Sequence, residues 1–220
     1  MSGVRHSIRL AVLAAFLGSM ALVTLTGCGS SETGRPGPAA TVAETGVQAK
    51  YAGTAVSPPR QAPPLALEDS LGRKVRLRDY RGKVVLLTFL YTNCPDICPL
   101  IASNLRVVQS ELGSAATDVQ IVAVSTDPRG DTPAAVNAFL KAHRMTGRME
   151  YLIGSRKQLA PVWKSWYVDA RPVPGPDKRI GHSQIVYGIT PRGEIRATYP
   201  GDFKPAQIVH DVPLLAEESG

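Results

Sequence analysis

The run "KVVLLTFLY", Lys83 to Tyr91, is apolar throughout except for Lys83 and Thr88. An amphipathic strand would alternate apolar and polar residues, so an unbroken run of this length fits a strand buried on both faces. A strand of that kind needs a layer of chain above it and another below it. The feature therefore confines the protein to α/β architectures in which helices cover a largely parallel sheet.

The rest of the sequence supplies those layers. "LALEDSLGRKVRL", Leu65 to Leu77, reads as a hairpin turning near Leu71-Gly72. A helix follows the apolar run, from about Pro95 to Leu112, with Ile101, Leu105, Val108 and Leu112 as its core stripe. "VQIVAVS" (Val119 to Ser125) is a second buried strand. "DTPAAVNAFLKAHR" is a helix with Asp131 or Thr132 as N-cap, Pro133 in its first turn and Val136, Phe139 and Leu140 on one face. "EYLIG" is a third strand. "SRKQLAPVWKSW" is a helix that Pro161 must start or kink. "SQIVYGIT" and "EIRATY" form a hairpin about Pro191-Arg192-Gly193, and a last helix spans roughly Pro205 to Ala216, interrupted by Pro213. Tyr51 to Val56 is a marginal edge strand, with "SPPRQAPP" an extended connection. The expected fold is thioredoxin-like α/β, with an N-terminal hairpin extension and a C-terminal hairpin plus helix. No internal repeat is present.

The first 27 residues have the layout of an export signal: Arg5 and Arg9, an apolar stretch from Leu10 to Leu25, then "LTGC" ending at Cys28. Sixteen residues interrupted by Gly18 and Ser19 are short for a membrane-spanning helix. The tetrapeptide resembles the bacterial lipobox, whose cysteine is acylated. Cys28 is then a lipid anchor and the domain is extracytoplasmic, tethered to the bacterial membrane. Residues 28–49, rich in Gly, Ser, Thr, Pro and Ala, form the anchor and a flexible tether, and residues 50–220 form one domain. Without residues 1–27 the chain keeps 23 basic and 18 acidic residues. That balance and the export signal argue against a nucleic-acid partner.

Outside the cytoplasm thiols tend to disulfides, and with Cys28 lipidated Cys94 and Cys98 are left as a closed pair. A loop this short constrains the unfolded chain little, so the pair is there for its chemistry and not as a staple. Both cysteines sit where a buried strand hands over to a helix, at the strand's C-terminal edge, where open α/β sheets collect ligand sites. Helical spacing puts both on one face, and the positive end of the helix favours thiolate. Two such sulfurs suit a soft metal such as Cu(I), and they also suit disulfide exchange. Three residues separate them where redox thioredoxins have two. The residue before the strand "SQIVYGIT" is His182, where redox thioredoxins carry a cis-proline; the nearest preceding proline is Pro176. His182 can complete a three-coordinate site with Cys94 and Cys98, tolerant of Cu(I) and Cu(II). Structural roles suffice for His143, near a helix C-terminus, and for His210, which has no partner near it in sequence; His6 lies in the signal.

These pieces resemble the Sco/SenC family of membrane-tethered copper proteins of cytochrome c oxidase assembly. The matching segments are "GKVVLLTFLYTNCPDICP", "VSTDPRGDTP" and "GHSQIVYGITPRGEI", in family order, within a match from about Tyr51 to Ala216. The resemblance implies one copper ion on Cys94, Cys98 and His182. It also implies copper delivery to, or thiol reduction at, the binuclear copper site of oxidase subunit II, with a copper donor and a thiol reductant of the thioredoxin superfamily as further partners. The chain departs from the family pattern at Leu100-Ile101, Gly188 and Thr190. Asp96 and Asp127 match it, but a helix dipole and a turn before Pro128 account for them.

Three functions compete. A metallochaperone would pass copper by ligand exchange and would not be an enzyme. A thiol–disulfide oxidoreductase would cycle Cys94 and Cys98 between dithiol and disulfide. A peroxidase needs a thiolate at a helix start, which is present, but no nucleophile is added outside the pair.

Overall fold

The structure, a computed structural model, describes residues 50–172, 180–181 and 183–218. Cys28 and the export signal lie outside the described residues, as does His182. The strands are β1 (Thr54–Gln61), β2 (Ala66–Asp69), β3 (Lys74–Arg76), β4 (Val84–Leu90), β5 (Val119–Ser125), β6 (Met149–Ile153), β7 (Arg171–Pro172), β8 (Ile180–Gly181), β9 (Ile185–Ile189) and β10 (Glu194–Pro200). The helices are α1 (Ile97–Leu112), α2 (Pro133–Ala142), α3 (Arg156–Ser165) and α4 (Pro205–Glu217).

Eight strands form one sheet in the order β1-β10-β9-β4-β5-β6-β2-β3. The pairs β4–β5 and β5–β6 are parallel and the rest antiparallel. All seven residues of β4 are buried, as its apolar run requires. Its side chains alternate between two cores. Val84, Leu86 and Leu90 pack with α1, α2 and α4 through Ile101, Leu105, Val136, Phe139, Ile208 and Leu215. Val85, Leu87 and Phe89 pack on the other face with Leu65, Leu77, Trp163 and Trp166. At roughly 1.5–3 kcal/mol for each fully buried aliphatic or aromatic side chain, β4 anchors both layers.

The hairpin β2–β3 turns at Gly72, whose φ of +78° suits glycine. Three expectations are corrected. The N-terminal strand is longer than Tyr51 to Val56: β1 runs to Gln61 and pairs with β10, taking in Pro58 and Pro59. An edge strand tolerates them because one side of its backbone has no ladder to complete. Pro161 does not start α3, which begins at Arg156 under a capping box between Ser155 and Gln158. The cysteine helix begins at Ile97, so Cys94 and Pro95 precede it. Asp96 is its N-cap, accepting the Ile97 N–H through its side chain. A small hairpin, β7–β8, emerges from the Pro/Gly-rich segment that the sequence left as loop.

Candidate metal centre

The site grows out of the end of β4. After Leu90 the chain turns through Tyr91, Thr92 and Asn93, and the Cys94 N–H donates to the Tyr91 carbonyl at 3.3 Å. Cys94 is buried, and Cys98, second residue of α1, is fully enclosed. Both are free thiols. The Cys98 N–H donates to Cys94 Sγ at 3.3 Å, so the first turn of α1 is closed by sulfur. Asp96 Oδ1 lies 3.9 Å from the same sulfur.

These contacts make the two thiols unequal. The hydrogen bond from the Cys98 thiol, with further help from the Asp96 and Cys98 N–H groups and the Tyr91 hydroxyl, lowers the Cys94 pKa to about 6 against the opposing effect of burial. The same bond and the burial of Cys98 push its thiol up. Near neutral pH the pair is one thiolate and one thiol, sharing a proton between them. Two sulfurs within mutual hydrogen-bonding reach, one already ionised, are a donor set that fits a soft cation. A metal held by both must displace the Cys98 proton.

The loop is held from below by a buried carboxylate that the sequence offered only as a possible helix cap. Thr132 is the cap of α2, its hydroxyl accepting from the Ala135 N–H at 3.2 Å. Asp131 is instead turned inward. Its Oδ1 accepts from the Thr92 N–H at 2.8 Å, and its Oδ2 from the hydroxyls of Ser125 (2.6 Å) and Tyr151 (3.0 Å). One side chain thus joins the cysteine loop to the end of β5 and the middle of β6. Burial raises its pKa, against those three donors. Gly130 packs so closely that a Cβ there would overlap the Asp127 carboxylate and lie 3.1 Å from Asn93 Nδ2. The turn Asp127–Asp131 is therefore the bed on which the cysteine loop rests.

Tyr91 was also missed, because an aromatic residue closing an apolar run reads as core. It is buried, and its hydroxyl interacts both with Cys94 and with the backbone of Ile180, which accompanies a pKa raised mainly by burial. It therefore links the cysteine loop to β8, the strand that immediately precedes His182 in sequence. Among the described residues no group of three His, Cys, Asp or Glu could hold a metal.

The His143 ring lies 4.5 Å from that of Phe139, tilted by 53°, and burial lowers its pKa, in keeping with the structural role expected of it. His210 does have a partner: its Nδ1 is 2.7 Å from Oδ1 of its neighbour Asp211. Of the departures from the family pattern, Leu100 is exposed and Ile101 fully buried. Gly188 leaves room for Leu215, whose Cδ1 would stand 3.0 Å from a Cβ there. The Thr190 hydroxyl accepts from the Glu194 N–H at 3.2 Å. These last two serve the β9–β10 hairpin and α4.

A thioredoxin-like sheet with a thiolate–thiol pair at the end of its central strand defines a dithiol protein able to hold a soft metal. The family model described as SCO1/SenC matches residues 54–217, and the chain belongs to that family. The SCO1 homolog of Bacillus subtilis is 28% identical over 141 residues, 63% of this chain and 72% of that one. The mitochondrial SCO1 homolog of Homo sapiens is 30% identical over 136 residues, 60% of this chain and only 44% of the human protein. The structure of Bradyrhizobium japonicum ScoI with copper bound superposes with a TM-score of 0.63 at 28% identity, over 71% of this chain and 99% of that one. Copper is the metal of this family, which is linked to the assembly of cytochrome c oxidase. No helix among the described residues is long and apolar enough to cross a membrane.

Proposed function

We propose that the protein is a copper metallochaperone: it binds one copper ion through Cys94, Cys98 and His182 and delivers it to the binuclear copper site of cytochrome c oxidase subunit II. In this reading it is exported, acylated at Cys28 and held at the outer face of a bacterial membrane. The carrying observation is the sulfur-closed first turn of α1, with the Cys98 N–H on Cys94 Sγ at 3.3 Å and both sulfurs buried at the end of β4. Soft, preorganised donors of this kind hold Cu(I) and release it to another thiolate set by ligand exchange. His182 follows β8 by one residue, and the contact of Ile180 with Tyr91 supports its assignment as third ligand.

The inequality of the thiols favours a second reading, a thiol–disulfide oxidoreductase preparing the cysteines of that oxidase site. An attacking thiol with a pKa near ambient pH and a buried resolving thiol are what exchange requires. Anaerobic Cu(I) titration of the reduced protein against a competing chelator, with its His182→Ala variant, separates the two. One tightly held copper that is greatly weakened in the variant supports the carrier. Binding indifferent to His182, with disulfide exchange intact, moves the function to the reductase.

A further inference from the structure

A second feature lies outside the cysteine site and reaches the N-terminal end of β4 through Arg81. Between the connection from β1 to β2 and the 3-10 turn Leu77–Tyr80 lies a groove of about 410 Å³. Pro63, Pro64 and Leu77 give it an apolar lining, and Arg76, Arg78 and Arg81 supply its charge; no acidic residue lines it. All three arginines are exposed, and among the described residues none has an ion-pair partner. The guanidinium of Arg81 lies against Gly193, at φ +79°, where any Cβ would overlap it. The turn holding that glycine is tied to the same segment by the Gly82 N–H on the Pro191 carbonyl (3.1 Å) and the Ala62 N–H on the Gly193 carbonyl (2.9 Å).

The surroundings repeat the sign. Lys83 precedes β4 and Arg148 precedes β6, whose first residues lie at one end of the parallel ladder, and Arg192 sits in the β9–β10 turn beside them. The acids at this end are Asp79, Glu111, Asp118, Glu150 and Glu194. Glu150 is engaged by Arg73 and Tyr80, and Glu194 by Arg192 and Gln61. The result is a cationic end with an apolar-lined groove at its centre.

We propose that this groove takes the phosphate headgroups of an anionic lipid surface and docks the domain on the membrane. Arginine forks match phosphate oxygens bidentately, and the prolines and Leu77 suit the interfacial depth just below the headgroups. Charge complementarity alone would also admit an acidic peptide. The spread of cations beyond the groove, over one whole end, fits an extended anionic surface better than a narrow strand. The tether does not dictate orientation, because 22 residues reach about 70 Å when extended. The inference does not rest on the copper reading, since neither the groove nor its test involves the thiols.

The test is co-sedimentation of residues 46–220 with vesicles of phosphatidylcholine alone or with about 30% phosphatidylglycerol, at low and high salt. That segment holds both hydrophobic cores, and the copper-bound structure, 99% of which this chain matches, shows that such a domain folds alone. The expected result is binding only to the anionic vesicles, weakened by salt. The combined Arg76→Gln, Arg78→Gln and Arg81→Gln variant loses on the order of 100-fold. Arg129→Gln, Lys157→Gln and Lys204→Gln together, an equal charge loss elsewhere, leaves binding as it was. Arg78→Gln alone carries the comparison if the triple variant loses its melting transition. Equal sedimentation with both vesicles, or equal loss in both triple variants, overturns the proposal. So does tight calorimetric binding of inorganic phosphate or a polyglutamate peptide to the groove without vesicle binding, which would make it a free-anion or peptide site.

Discussion

The two ends of β4 use opposite designs. At its C-terminal end the chemistry is buried and tied by shared hydrogen bonds: Cys94 takes the Cys98 N–H, and Asp131 takes donors from Thr92, Ser125 and Tyr151, although the buried Thr92 hydroxyl itself has no hydrogen-bond partner among the described residues. Reaching its N-terminal end through Arg81, an apolar-lined groove carries Arg76, Arg78 and Arg81 exposed and, among the described residues, without ion pairs. The buried end is preorganised, so a change of one atom there propagates through shared hydrogen bonds. The exposed end works by summed charge, so single changes there are small and nearly additive. A thiol pair that must hold one ion in one geometry needs the first design. A surface that meets many equivalent anions needs only the second.

The sharpest way to break this contrast is to remove one sulfur. Cys94→Ser replaces the thiolate with a hydroxyl that stays protonated at neutral pH, leaving Cys98 to face the cation as a buried thiol. Tight Cu(I) binding is expected to disappear in a chelator competition assay. Unchanged affinity would remove Cys94 from the site and the preorganisation argument with it.

Next in size is the support under the loop. Asp131→Ala leaves the Thr92 N–H and the Ser125 and Tyr151 hydroxyls without their acceptor in a buried place. At about 1–3 kcal/mol for each unsatisfied group, partly relieved by water, the expected loss is about 3 kcal/mol. Urea denaturation of the copper-free protein measures it. A loss below about 1 kcal/mol would mean that the loop is held by the helix alone.

The unequal legibility of the two ends follows from the same physics. The apolar run and the cysteine pair are contiguous in sequence, so the sheet, its burial and the thiol site were readable, as was the order of elements. Asp131 was not, because a carboxylate two residues before a helix reads as a cap until Thr132 is seen to fill that role. Tyr91 was hidden in an apolar run. The groove was least legible of all. Its lining comes from residues 62–66 and 76–81, and the glycine that seats Arg81 lies at 193. Only the pairing of β1 with β10 and β9 with β4 brings these together. Local pattern reports what neighbours in sequence do; it is silent on cations assembled by topology.

The pH behaviour sharpens the contrast further. With its pKa lowered from the ordinary thiol value to about 6, Cys94 is alkylated by iodoacetamide at a rate that rises through about pH 6, while Cys98 stays unreactive at neutral pH. The sign for stability follows from the depressed value. The ionised sulfur contributes in full above the unfolded thiol pKa, and the contribution is lost as pH falls through about 6. Tyr91→Phe removes one donor to the thiolate and is expected to move the alkylation midpoint upward. A midpoint that moves down, or does not move, would deny Tyr91 a place in the site.

The smallest expected effect is the most discriminating. The Arg76→Gln, Arg78→Gln and Arg81→Gln variant removes three exposed charges, of which Arg81 lies at the N-terminal end of β4, separated from the thiols by about 20 Å of sheet. That distance exceeds the screening length of about 8 Å at physiological ionic strength, and among the described residues no chain of polar contacts links the two ends through the buried, largely apolar β4. Copper affinity and the Cys94 midpoint are therefore expected to match wild type, and stability to change by less than about 0.5 kcal/mol, as for exposed unpaired residues. Calorimetry and the chelator titration check both. A copper affinity that falls with the arginines would show the ends to be coupled, and the division between a preorganised end and an additive one would not hold.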